Sequence, residues 1–193
     1  MTRNPDIPHD TEDKAWWLTH GENLEKRFVE LCLNSLGISA QINPEKESTP
    51  TAPDLLVEGR VADLKVQNTP FFTSGRYKLN PRFTVTFNRK DFERYTSLYP
   101  TIDIYYWVAW KQAVWNNITV EPIAGIWRAP FSSIRAMIEG GAPEHRYIHR
   151  KQDTGGNAKS SFLLDLAQFE TIAMLDSVEP TRPVTGRNDN IVP

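Results

Sequence analysis

A chain of 193 residues has room for one substantial hydrophobic core but not for two ordinary domains, so a single domain is expected at 16–176, between polar, proline-bearing tails at 1–15 and 177–193. Its 39% hydrophobic and 24% charged residues are those of a globular protein, and a net charge of −2 excludes one that coats nucleic acid by bulk charge. No apolar run approaches the roughly 20 residues of a membrane helix, Met1–Lys14 lacks a signal-peptide hydrophobic region, and the single Cys32 excludes an internal disulfide; a cytoplasmic protein without membrane contact is expected.

In chain order, Thr19-His20-Gly21-Glu22 has the form of a capping box, and Leu24, Phe28, Leu31, Cys32 and Leu36 recur at helical spacing, which predicts a helix over about 20–36 ended by Gly37. Cys32 reads as a small buried side chain of that helix. A short strand over 38–42 and a polar loop follow. Strands at 54–57 and 61–67 are then predicted, joined by a Glu58-Gly59 turn suited to a hairpin. Arg82–Phe87 alternates as a strand does, and Asn88 is placed to cap a helix reaching Leu98. Ile102–Trp110 is a β-branched and aromatic run of the kind buried on both faces, and Ile118–Trp127 reads as a further strand. A helix at 131–139 and an apolar segment at 162–175 complete the packed part. The expected fold is α/β, with a mixed central β-sheet flanked by helices.

The chemistry-bearing residues cluster early. Pro53-Asp54 is followed, after eight residues, by Asp63-Leu64-Lys65. A hairpin sets Asp54 and Asp63 on neighbouring strands, and period-two alternation puts Asp63, Lys65 and Gln67 on one face of the second strand, with Ala62, Leu64 and Val66 on the other. On the first helix, at about 100° per residue, Glu25 falls inside the apolar arc rather than on the polar side. A carboxylate on a core face needs a partner. From Arg60 to Arg94 eight basic residues stand against three acidic ones, so the segment beside these groups is basic.

The Pro53-Asp54…Asp63-Leu64-Lys65 pattern resembles the PD-(D/E)XK signature of a nuclease superfamily, whose members often carry a helix G-x-x-x-E, matched here by Gly21 and Glu25. The resemblance covers about residues 20–110 and includes the order helix, two strands, helix, buried strand. Asp63 stands where many relatives have Glu. It implies a restriction-endonuclease-like core and a Mg²⁺-dependent endonuclease acting on DNA, with Mn²⁺ as a substitute ion. Glu25, Asp54, Asp63 and Lys65 would form the catalytic set, with Asp54, Asp63 and Glu25 toward the metal and Lys65 on the attacking water. A homodimer is left open. The alternative within the resemblance is a protein that has kept the nuclease fold without catalysis and binds nucleic acid or a protein partner.

Other groups carry less. His145 and His149 have the i, i+4 spacing of two ligands on a helix, but Gly140, Gly141 and Pro143 argue for a loop. Arg146, Arg150, Lys151 and Lys159 are candidates for phosphate contact or a solvated loop. Trp107, Trp110 and Trp127 lie in strands that read as core; Trp16 and Trp17 are unassigned. A tryptophan-rich carbohydrate-binding module would need exposed aromatic rings and no acidic cluster, and the order of helix and strands speaks against it.

Overall fold

The computed structural model describes residues 14–49, 51–111, 113–147 and 160–176, with the side chains of the first helix from Asn23 onward. The tails before residue 14 and from residue 177 lie outside the described residues. The chain is mixed α/β, with a mixed central sheet flanked by helices. No helix among the described residues is long and apolar enough to cross a membrane. Chain contacts divide the described residues into two compact units, one ending at Leu64 and one beginning at Lys65.

The first unit opens with α1, Lys14–Leu31, followed by a π-helical turn, Cys32–Leu36. The helix therefore starts about six residues earlier than the capping-box pattern predicts, because Lys14–Leu18 contains neither Gly nor Pro to oppose it. Its end is where the pattern sets it: Gly37 adopts φ +67° and donates its N–H to the Cys32 carbonyl. Three strands follow, β1 (Ala40–Ile42), β2 (Leu55–Val57) and β3 (from Arg60), in the order β1-β2-β3. They pair antiparallel, with Ala40 opposite Val57 and Leu55 opposite Ala62. The β2–β3 turn has positive φ at both Glu58 (49°) and Gly59 (73°), the backbone of a two-residue hairpin that matches strand twist. The Glu58 side chain, the less natural occupant of such a position, accepts a hydrogen bond from Ser39 N–H at 2.6 Å. Phe28, Cys32, Ala40, Leu55, Val57 and Ala62 are buried.

In the second unit β3 continues to Gln67, and the strand order is β3-β5-β8-β11, with β5 Asp103–Ala109, β8 Ala124–Pro130 and β11 Glu170–Met174. A three-stranded sheet runs β4-β10-β9, from Thr84–Asn88, Ser160–Asp165 and Glu144–Arg146; β6 (Val114–Trp115) and β7 (Ile118–Thr119) form a small hairpin. Helices α2 (Arg89–Leu98) and α3 (Phe131–Glu139) pack against each other, and α3 packs on β8 and β10. Phe87, Tyr95 and Phe131 meet with ring centroids 5.9 to 6.2 Å apart, and Phe92 bridges Phe131 and Phe162.

Three sequence expectations change here. Ile118–Trp127 is two strands and not one, because Pro122, which has no N–H to give a ladder, lies in the break between β7 and β8. Asn88 makes no side-chain cap on α2; β10 runs beside it, and its Oδ1 accepts a hydrogen bond from Ser161 at 2.8 Å. The 162–175 segment resolves into β10, a 3₁₀ turn at Leu166–Gln168, and β11.

Candidate active site

In the first unit the polar loop between β1 and β2 carries the decisive residue. Asn43 caps a 3₁₀ turn, Pro44–Glu47, accepting a hydrogen bond from Glu45 N–H, and donates through Nδ2 to the Pro53 carbonyl at 2.9 Å. Its own N–H donates to the carbonyl of Asp54. The turn is thereby tied to the residues that lead into β2. It presents Lys46, whose Nζ lies 2.6 and 2.7 Å from the two Glu25 carboxylate oxygens and 2.7 Å from Oδ1 of Asp54.

Glu25 and Asp54, 29 positions apart in sequence, thus share one positive charge. The three side chains are 13 to 21% exposed, enough burial for the charges to feel one another strongly. Burial alone would lower the Lys46 pKa; the hydrogen bonds and charges of Asp54 and Glu25 outweigh it and hold the ammonium above its ordinary value. Glu25 therefore has the partner that its place on the apolar arc of α1 demanded.

The other oxygen of Asp54, Oδ2, accepts the backbone N–H of Leu64 at 3.1 Å. This contact ties the carboxylate to the backbone of β3 at the residue after Asp63. The register agrees: continued one residue beyond Leu55 opposite Ala62, it sets Asp54 opposite Asp63. Asp63 itself is only 3% exposed. The hairpin reading expects both aspartates on strands; Asp63 lies on β3, whereas β2 begins at Leu55 and Asp54 is the residue before it. Among the described residues, however, no three His, Cys, Asp or Glu side chains are gathered closely enough to hold one ion. What is gathered is a pair, Glu25 and Asp54, around an ammonium.

In the second unit Lys65 donates from Nζ to Oδ2 of Asp91 at 2.6 Å, and Nζ stands 5.9 Å from the ring centroids of both Phe87 and Tyr95. Asp91 Oδ1 accepts from Arg94, one turn along α2, at 2.9 Å. Gln67, two residues beyond Lys65 and on the same face, donates to the carbonyl and hydroxyl oxygens of Thr86 on β4. The polar face of β3 is here covered by β4 and α2 rather than open to water.

Lys46 and Asp91 escape a reading of the sequence. Lys46 sits in an aperiodic loop, and Asp91 looks like an ordinary acid in the first turn of a helix. The one available signal was the burial demanded of Glu25, which called for a cation somewhere else in the chain.

Of the remaining candidates Cys32, His145, Trp110 and Trp127 are packed, and Arg146 on β9 is exposed. Cys32 is buried, and burial pushes its thiol up to about 11, which removes it as a nucleophile. His145 lies on β9, with Nδ1 3.0 Å from the Tyr77 hydroxyl and its ring edge-on to Phe71 and Tyr147, so a helical ligand pair does not start there. His149, Arg150, Lys151 and Lys159 lie outside the described residues, as do the side chains of Trp16 and Trp17. Trp110 and Trp127 are core, the former donating Nε1–H to the Arg82 carbonyl at 2.9 Å. Two cations of the basic 60–94 segment are compensated from farther along the chain, Arg82 by Glu121 and Arg89 by Glu144.

The groups gathered on the Lys46 ammonium are carboxylate oxygens, the hard donor type that Mg²⁺ takes, commonly one or two of them with water and substrate oxygens completing its shell. Comparison of the chain with family models, with curated proteins and with solved structures gave no match.

Proposed function

We propose that the protein is a metal-dependent nuclease of the PD-(D/E)XK kind, hydrolysing phosphodiester bonds of DNA in the cytoplasm on a restriction-endonuclease-like core. What supports the reading is the tie between the Asp54 carboxylate and the β3 backbone at Leu64, the residue after Asp63, with Glu25 joined to the same carboxylate through Lys46. Asp54 and Asp63 would hold Mg²⁺, with Mn²⁺ as substitute, and Glu25 would position a bound water or a further ion. When bound, Mg²⁺ supplies Lewis acidity that makes a water nucleophilic near neutral pH and offsets charge at the phosphate.

Lys65 follows Asp63 by two residues on β3, and its role is to orient the attacking water or to stabilise the charge that grows on the phosphate oxygens. Asp91 fixes the Lys65 ammonium, and the Phe87 and Tyr95 rings beside it limit where that ammonium can go. Arg94, on the other oxygen of Asp91, keeps that carboxylate turned toward Lys65.

The second reading is a non-catalytic protein of the same fold that binds nucleic acid or a protein partner. It is favoured by the Glu25–Lys46–Asp54 arrangement, in which the chain's own ammonium already offsets one of the two carboxylate charges without an ion. Mn²⁺ titration of the wild type, Asp54→Ala and Asp63→Ala separates the two. Binding that both substitutions abolish supports the nuclease; DNA binding that needs no metal and is never followed by cleavage supports the second reading.

A further inference from the structure

One carboxylate assigned to the ion, Asp54, and the supporting Glu25 already hold a cation that belongs to the chain. The Lys46 ammonium directs three hydrogen bonds at them, two to Glu25 and one to Asp54, which is all that an ammonium can donate. In its own unit Lys65 donates to Asp91. The carrier of Lys46 is separate from the carboxylates' own elements: it rides on the short 3₁₀ turn held by Asn43, while Glu25 is on α1 and Asp54 leads into β2. A lysine stem of four carbons can swing its ammonium away while such a turn stays in place.

Resting on the nuclease reading above, we infer that Lys46 is a built-in counter-ion: it holds Glu25 and Asp54 together in the metal-free protein and competes with the divalent ion for the same oxygens. The physical reason is that an ammonium and a divalent cation cannot both sit against the Asp54 carboxylate without strong like-charge repulsion. Ion entry requires the ammonium to leave. The lysine thus preserves the geometry of two carboxylates that would otherwise repel each other, and the same contact lowers the apparent affinity for the metal, because only molecules with Lys46 withdrawn can take the ion.

The test is Mn²⁺ binding to the full chain by calorimetry, for wild type, Lys46→Met, Lys46→Gln and Asp54→Asn, with thermal melts in chelator and in Mn²⁺. Lys46→Gln removes the charge while keeping a hydrogen-bond donor, and so covers the case in which Lys46→Met does not fold. Both lysine variants are expected to bind Mn²⁺ at least about tenfold more tightly than wild type, as for a competent state populated about one tenth of the time. Their melting temperatures should fall in chelator and recover in Mn²⁺ by more than the wild type gains. If Asp54→Asn abolishes Mn²⁺ binding but Lys46→Gln binds it no more tightly than wild type, the counter-ion role is wrong and the nuclease reading survives. If wild type and Asp54→Asn bind Mn²⁺ alike, or neither they nor the lysine variants bind it, the nuclease reading falls and the counter-ion role falls with it.

Discussion

Lys65 and Asp91 are 26 positions apart in sequence, yet Nζ and Oδ2 stand 2.6 Å from each other, on a strand and on the first turn of a helix. A lysine stem left to itself samples many rotamers; one tied to a carboxylate that is itself held by Arg94 has a preferred place for its charge. Asp91→Ala is expected to lower DNA cleavage by about ten- to hundredfold through loss of that placement, while Mn²⁺ affinity is unchanged. Asp91→Glu should recover part of the rate. Equal losses in metal affinity and cleavage would show that Asp91 acts on the ion and not through Lys65.

Arg128 on β8 reaches two carboxylates, Asp103 on β5 at 3.0 Å and Glu170 on β11 at 2.9 Å. Glu170 is exposed and contributes little, whereas Asp103 is buried. Arg128→Met should therefore destabilise the protein by about 3 kcal/mol, mostly by stripping a buried carboxylate of its guanidinium. Glu170→Gln should cost under about 1 kcal/mol. Urea midpoints for the two variants give the comparison, and similar costs would contradict it.

Gly125 sits where β8 passes between its neighbours. A Cβ there would stand 2.7 Å from the Ala173 carbonyl oxygen and 2.7 Å from the Trp127 ring. The first of these is backbone, next to the irregularity in the β8–β11 pairing between Thr171 and Ala173, so relief means moving a strand. Gly125→Ala is expected to cost at least about 2 kcal/mol by the overpacking mechanism. A melting temperature within one or two degrees of wild type would argue against that crowding.

The Glu144 carboxyl is drawn from its ordinary 4.5 down to about 2, first by the hydrogen bond from Arg89 and next by that from Ser160. A depressed carboxylate pKa contributes stability that is present in full above about 4.5 and is lost as pH falls toward about 2. The stability gap between wild type and Glu144→Gln should therefore close as pH falls through that window, and added salt should shrink it at neutral pH. Urea midpoints taken across the window measure it. A gap independent of pH would mean that Glu144 stabilises by packing alone.

Much of this was legible in local pattern. The Glu58-Gly59 turn, the hairpin around it and the bounds of α3 follow from turn chemistry and periodicity. The core-side position of Glu25 was legible too, but its cation was not. Lys46 lies 21 positions away on a loop, and nothing in a loop's composition reports which side chain folds back onto a helix. Asn88 failed for a related reason: a residue suited to capping had a competing partner in Ser161, 73 positions later, which only the β4–β10 pairing brings to it. Local rules place elements; partners across the fold depend on tertiary approach.

The most direct test of the nuclease reading is the initial rate at which the purified chain nicks supercoiled plasmid, measured for wild type, Asp63→Ala and Lys65→Ala in Mg²⁺, Mn²⁺ and chelator. Wild type is expected to nick in either metal and not in chelator, Asp63→Ala to be inactive throughout, and Lys65→Ala to fall by at least about a hundredfold, the scale of losing one preorganised electrostatic group. Nicking in chelator, no nicking in either metal, or wild-type rates from Asp63→Ala or Lys65→Ala would contradict the account.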